Sequence, residues 1–339
     1  MAKKEEIPVL EVRNESTVEA DVGEAGKIPV GLSACLAGYE VRYNGGHSQS
    51  RLCLRTLSEF FTFRTFCPEV AAGFGIPRPT MRLSGSPEAP RLTLSDDASV
   101  DLTDQLMNAV NPKLDEFDGL DGYILMKNSP SCGMERVKIY RDNGYPYDEK
   151  GSGFFAAALM EKYPLLPVEE EGRLHDARLL ENFVLRVYAH HNFRQEVLAE
   201  PSHHKLIQFH SSYKYVLMAH HQQSPRDLGH LLADAGKQPL GTLVQEYFEA
   251  FMEAIKKPAS TRNHTNTLMH ILGYLKKDVP APARQNILDT IHRYRQAEVP
   301  LVVPLTLLSH YIDQAGSDYI RAQRYLQPYP QSLGLTNAI

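Results

Sequence analysis

Three short apolar runs, each leading to a cysteine set among small residues, proline or glycine, restrict the first half of this chain more than any other feature. Ile28-Pro-Val-Gly-Leu-Ser-Ala-Cys35 is the first. Residues 62–70 hold the second, with Cys67-Pro-Glu69 at its end. Residues 120–127 form the third and run on into Ser129-Pro-Ser-Cys132-Gly133. Each reads as a buried strand feeding a tight loop, and residues 103–117 have helical spacing between the second and third. This alternation predicts an α/β domain with a largely parallel, three-layer arrangement, helices lying against the faces of the sheet. In such sheets ligands bind beyond the carboxyl ends of the strands. Cys35, Cys67 and Cys132, remote in sequence, are therefore expected at one edge.

The second half has another pattern. Leu243, Val244, Tyr247, Phe248, Phe251, Met252 and Ile255 make an apolar stripe at helical period. Ser224-Pro225 and Ser260 read as helix starts, Pro258 and Pro280 as stops, and six to eight helices with almost no strand are expected. Tyr163-Pro-Leu-Leu-Pro-Val-Glu-Glu-Glu-Gly172, with two prolines and an acidic run, marks a boundary. The expected organisation is a flexible leader over 1–27, an α/β domain over 28–162 and an all-α domain over 173–339.

Charge limits the function classes. The formal net charge of −5 excludes a uniformly basic nucleic-acid coat, though not a local basic face. Residues 256–295 carry 8 Lys and Arg against 2 Asp. No apolar run reaches the ~20 residues of a membrane span. The charged N-terminus does not read as a secretory signal. With four cysteines, no CxxC pair and 14 histidines, a cytoplasmic setting is expected rather than a disulfide framework.

Three thiolates fall short of the four ligands of a closed zinc site. They can hold a [4Fe–4S] cluster by three irons, leaving the fourth open. On spacing alone, buried structural cysteines or a single reactive thiol remain alternatives. The motifs say more. Ser33-Ala-Cys-Leu-Ala-Gly38, Val41-Arg-Tyr-Asn-Gly45, Cys67-Pro-Glu69, Ile76-Pro-Arg-Pro79, Leu125-Met-Lys-Asn-Ser-Pro-Ser-Cys-Gly133 and Gly151-Ser-Gly-Phe-Phe155 resemble the thiouracil desulfidase family. From about residue 180, Phe209-His-Ser-Ser-Tyr-Lys-Tyr, Leu268-Met-His-Ile-Leu-Gly-Tyr-Leu-Lys-Lys277 and Pro300-Leu-Val-Val-Pro-Leu-Thr-Leu-Leu-Ser-His-Tyr311 resemble the uncharacterised helical domain often fused to it. The fused arrangement is similar to bacterial desulfidases that convert 4-thiouridine in tRNA to uridine.

The resemblance implies a [4Fe–4S] cluster on Cys35, Cys67 and Cys132 with one open iron, an essential carboxylate at Glu69, and a serine at Ser129 or Ser131. Cys53 matches no family ligand, and Asn44 stands where many relatives have Asp. The implied chemistry is non-redox: a soft C=S sulfur meets the open iron, water attacks the carbon, and Glu69 takes its proton. Sulfur leaves as hydrosulfide. Arg42, Tyr43, Asn44 and Arg78 are the expected substrate contacts. Gly151-Ser-Gly153 reads as a simple turn or a phosphate seat at a helix start. Lys256, Lys257, Arg262, Lys276 and Lys277, with His264, Asn266, His270 and Tyr274 nearby, are the expected RNA-facing groups. The adjacent pairs His190-His191, His203-His204 and His220-His221 read as polar surface. Thiolated tRNA is the expected partner. Free thiopyrimidines, or a non-catalytic Fe–S RNA-binding regulator, are the alternatives.

Overall fold

The strands that lead to Cys35 and Cys67 run side by side: β1 (Ile28–Ser33) pairs in parallel with β2 (Phe61–Phe66), in register from Ile28↔Phe61 to Ser33↔Phe66. The computed structural model describes residues 26–233, 236 and 238–339, so the expected leader lies outside the described residues except for its last two. The chain divides into two units. One holds the residues up to Gly119 with Ile124–Leu159, the other Leu120–Tyr123 with Met160–Ile339.

In the first unit β2 is followed by α1 (Pro68–Ala71), β3 (Met81–Ser86), β4 (Ala89–Leu94), α2 (Thr103–Val110), β5 (Tyr123–Leu125), β6 (Val137–Tyr140), β7 (Pro146–Gly151) and α3 (Phe154–Lys162). Its first sheet has the order β2-β1-β5. Val30, Leu32, Ile124 and Leu125 are fully buried, as runs covered on both faces must be. Residues 103–117 are helical as expected, but α2 tightens into a 3-10 segment at Asn111–Phe117, where Pro112 cannot donate to an α-helical ladder. A second sheet, β4-β3-β6-β7, is mixed, with two antiparallel pairs and one parallel pair. Phe66, Phe117 and Phe155 form a triangle of rings with centroids 5.2–5.8 Å apart. Each such pair adds about 0.5–1.5 kcal/mol beyond its buried area. The triangle ties the end of β2 to α3.

The second unit contains the short strand β8 (Val168–Glu170), then α4 (Ala177–Phe193), α5 (His203–His220), α6 (Ser224–Ala233), α7 (Leu240–Ala254), α8 (Thr261–Leu272), α9 (Ala281–Arg295), α10 (Val302–Ala315) and α11 (Asp318–Arg321). No strand follows β8 among the described residues. Ser260 caps α8 by accepting the N–H of Asn263, and α6 opens at Ser224. The stripe on α7 is the buried one, and Phe248 stacks on Phe193 of α4 at 4.2 Å. Among the described residues no helix is long and apolar enough to cross a membrane.

Candidate active site

β1 passes directly into a 3-10 turn, Ala34–Ala37, which carries Cys35. Cys67 is still extended, φ −124°, and α1 begins at Pro68, where the missing N–H costs nothing. Because Ser33 and Phe66 are partners at the strand ends, both cysteines leave the sheet at one edge. The third thiol comes from the loop after β5. Asn128 adopts the left-handed region there (φ 58°), which asparagine tolerates better than most residues. Ser129 Oγ then accepts the backbone N–H groups of Ser131 (3.2 Å) and Cys132 (3.0 Å). Ser33 Oγ accepts the N–H of Met126 at 3.0 Å, and the Ser33 side chain hydrogen-bonds the Cys132 thiol.

The start of α3 closes round this loop. The N–H groups of Gly153, Phe154 and Ala156 donate to the carbonyls of Gly133 (2.7 Å), Pro130 (3.1 Å) and Ser131 (3.1 Å). A Cβ on Gly153 would lie 2.5 Å from the Ser131 carbonyl carbon, and one on Gly133 would lie 2.9 Å from the Ser129 oxygen. Of the two readings of Gly151-Ser-Gly153, the close packing at the start of α3 accords with a turn. The helix-start donors are taken by protein carbonyls, and glycine is required for the close approach of the Cys132 loop.

Cys35 and Cys132 are buried, Cys67 is half-buried, and none is in a disulfide. Burial, and then the neighbouring Cys67, push the Cys35 thiol up to about 11. Burial raises Cys67 as well. Cys132 is pushed far up by burial and then by Cys67, Glu69 and Cys35. Cys67 acts on both Cys35 and Cys132, and Cys35 acts on Cys132, so the three thiols share one locus. Among the described residues no three His, Cys, Asp or Glu side chains are placed to hold a single metal ion. Cys53 is buried in Leu52–Thr56.

Glu69, in the first turn of α1, faces the same place. Its Oε1 accepts from Ser131 Oγ at 2.9 Å and lies 3.4 Å from Ser129 Oγ. Its Oε2 accepts from Arg78 Nε (2.9 Å) and Nη2 (2.5 Å). Arg78 also donates to the carbonyls of Gly75 (3.0 Å) and Val41 (2.8 Å). Four of its five side-chain donors are thereby engaged by protein. No local sequence pattern marks the Arg78–Glu69 pair, whose members stand nine positions apart with the end of α1 and a loop between them.

Arg42 hydrogen-bonds Ser48 Oγ, lies 5.8 Å from the Tyr43 ring, and acts on the Cys35 thiol electrostatically. Tyr43 and Asn44 are exposed on the turn it begins, and the Tyr43 carbonyl accepts the Arg78 N–H at 2.8 Å. One strand-end site therefore unites the three cysteines, Glu69, Ser129, Ser131 and Arg78, with the turn carrying Tyr43 and Asn44 beside it.

In the helical unit Lys256 pairs with Glu253 at 2.9 Å. Lys257, Arg262, Lys276 and Lys277 are exposed, and no ion pair engages them among the described residues. His264 is buried with Nδ1 2.9 Å from Tyr325 Oη, so it does not face a nucleotide. Nor are all the histidine pairs surface groups. His190 and His191 reach the two oxygens of buried Asp121 at 2.8 and 2.7 Å, and Arg194 joins at 3.2 Å. Burial raises the Asp121 carboxyl, but the hydrogen bonds from His190 and His191 prevail and hold it down at about 2. His220 Nδ1 sits 2.7 Å from the Lys257 carbonyl.

Residues 30–171 match the family model described as 2-thiouracil desulfurase, and residues 214–330 match that of a protein of unknown function, DUF1722. The uncharacterized protein YbgA of Escherichia coli (strain K12) is 30% identical over 162 residues, covering 48% of this chain and 96% of YbgA. The uncharacterized protein YbbK of Bacillus subtilis (strain 168) is 32% identical over 139 residues, covering 38% of this chain and 88% of YbbK. A solved structure of the [4Fe-4S]-dependent thiouracil desulfidase TudS aligns at 28% identity with a TM-score of 0.37, over 47% of this chain and 99% of that one. By these matches the chain belongs to the 2-thiouracil desulfurase family and continues into a DUF1722 region.

Proposed function

We propose that this protein hydrolyses the carbon–sulfur bond of thiolated uracil, and that its substrate is 4-thiouridine within tRNA. The observation that carries the chemistry is the 2.9 Å contact of Glu69 with Ser131, set beside three thiols that share one strand-end locus. The donor set suits a [4Fe–4S] cluster held by Cys35, Cys67 and Cys132: three soft ligands on three separate backbone segments, with the fourth iron open. A cluster distributes its ligands over several irons, so it does not require them to converge on one ion position. When bound, such a cluster supplies a soft Lewis-acid position for a thiocarbonyl sulfur.

Glu69 is the general base. Arg78 fixes one carboxyl oxygen with two donors, which leaves Oε1 to take the proton of the attacking water. Arg78 is a positioning residue, since its donors end on Glu69 and on backbone carbonyls. Ser131, fully buried and closer to Oε1 than Ser129, orients that oxygen. Ser129 orders the Cys132 loop. Water oxygen bonds to the carbon, the C–S bond breaks, and sulfur leaves as hydrosulfide, so no electron donor is needed. Tyr43 can stack on the base, and Asn44 can hydrogen-bond its edge.

The unpaired cations Lys257, Arg262, Lys276 and Lys277 of the helical unit support a polyanionic partner. The second reading, free thiouracil as substrate, is favoured by the family description. The test is anaerobic reconstitution of the full chain with iron and sulfide, then incubation with thiolated tRNA and, separately, with free 2- and 4-thiouracil. Loss of near-ultraviolet absorption with hydrosulfide release from tRNA is expected. Release from the free bases alone would replace tRNA by the second reading, and release from neither would reject desulfidation. A Lys276→Gln/Lys277→Gln variant is expected to weaken tRNA binding and reduce the salt slope by up to about 2 while leaving free-base turnover unchanged.

A further inference from the structure

The helical unit contains a cavity of about 450 Å³, lined by parts of α4, α5, α8 and α10 and by the turns after α11. That volume falls within the range of about 300–1,000 Å³ common for small-molecule sites. None of its lining residues belongs to the thiol site.

Its least ordinary member is Glu181 of α4, 6% exposed. Glu181 Oε1 accepts from Tyr329 Oη at 3.0 Å, and no other partner engages the carboxyl among the described residues. Burial pushes this carboxyl up to about 7, with only the Tyr329 hydrogen bond opposing. Two of the three lining histidines carry no compensating charge, since burial holds His220 and His264 down at about 4 and about 3; the third, His310, is hydrogen-bonded to Gln314 on α10. Since the Lys257 carbonyl accepts from His220 Nδ1, the other ring nitrogen of neutral His220 is an acceptor. Asp313 adds an exposed carboxylate to the lining, and no Lys or Arg lines the cavity. Arg178, one turn earlier on α4, lines a smaller neighbouring space with Glu181, and its Nη2 is on Thr261 at 3.0 Å.

A buried carboxyl without a counter-ion is costly, and it is stabilised when a cation comes to it. Acceptors together with the rings of Tyr325 and Tyr329, and with no fixed positive charge, disfavour phosphate and suit an organic cation. We infer that this cavity binds a small organic cation, an amine, amidinium or guanidinium, with its charge against Glu181. Binding takes the carboxylic acid to the carboxylate and releases its proton to solvent.

Isothermal titration calorimetry of the full chain at pH 7 tests this, with benzamidine and spermidine as probes in two buffers of different ionisation enthalpy. Saturable one-to-one binding with proton release is expected. Glu181→Gln, which keeps an acceptor for Tyr329, is expected to lower affinity at least tenfold and to remove the buffer dependence. Thr306→Trp, at an exposed lining position, is expected to abolish binding without loss of fold by circular dichroism. It decides the matter if Glu181→Gln fails to fold. Binding of neither probe, equal affinity in both variants, or displacement by inorganic phosphate would overturn the inference.

Discussion

Glu69 and Glu181 are both carboxyls held away from bulk water, and their surroundings differ in kind. Glu69 has each oxygen assigned: one to the Arg78 guanidinium, the other to Ser131. Glu181 has one tyrosine hydroxyl and otherwise lines the cavity. The first environment fixes a carboxyl in position before anything arrives, as the proposed general base requires. The second leaves a polar group under-compensated until a partner of opposite charge enters. Loops at strand ends can supply such dense backbone contacts, whereas helix faces supply side chains at wider spacing. A third carboxyl, Asp121, shows that the helical unit can also satisfy one fully, with His190, His191 and Arg194.

The same substitution at the two glutamates separates these roles most sharply. Glu69→Gln is expected to lower desulfidation by about 10²–10⁴-fold with the iron content unchanged, since it removes the proton acceptor but keeps the shape. Equal turnover in the variant would show that Glu69 only holds Arg78.

Glu181→Gln is expected to leave turnover intact and to change the pH dependence of stability. The folded carboxyl lies at about 7 against an unfolded 4.5, so the folded state holds its proton longer. Stability contributed by this group is present below pH 4.5 and lost as pH rises towards 7 and above, by about 3 kcal/mol. Urea unfolding at pH 5 and pH 8 checks it: the decline should flatten in the variant.

Asp121 has the opposite sign and a smaller effect. Its folded carboxyl, at about 2 against 3.8, contributes stability that is complete above pH 4 and lost as pH falls through 2, about 2 kcal/mol in all. Asp121→Asn should therefore destabilise the chain at pH 6, and the gap to the unaltered protein should narrow towards pH 3.

The strand-end thiols and the helical second half are legible in the sequence, because apolar runs, caps and the α7 stripe are local patterns. Gly153 carries a signal too, but its meaning depends on the Cys132 loop, which is 21 residues away. The second sheet announces itself less clearly. Asn143-Gly144 between β6 and β7 is a hairpin signal, yet Val137–Tyr140 and Pro146–Gly151 are too short and polar to demand a sheet. Arg78 on Glu69, Asp121 under two histidines, and Glu181 in its cavity have no local pattern at all. Each depends on where a polar side chain arrives after the core has formed.

The direct test of the central claim is the iron and acid-labile sulfide content of the anaerobically reconstituted full chain, measured beside the four single Cys→Ala variants. Four irons and four sulfides are predicted for the unaltered protein and for Cys53→Ala. Substitution at Cys35, Cys67 or Cys132 should abolish the cluster, and with it about 10³-fold or more of turnover. Full iron loading in any of those three variants, or loss of the cluster in Cys53→Ala, would contradict a site built on these three thiolates alone.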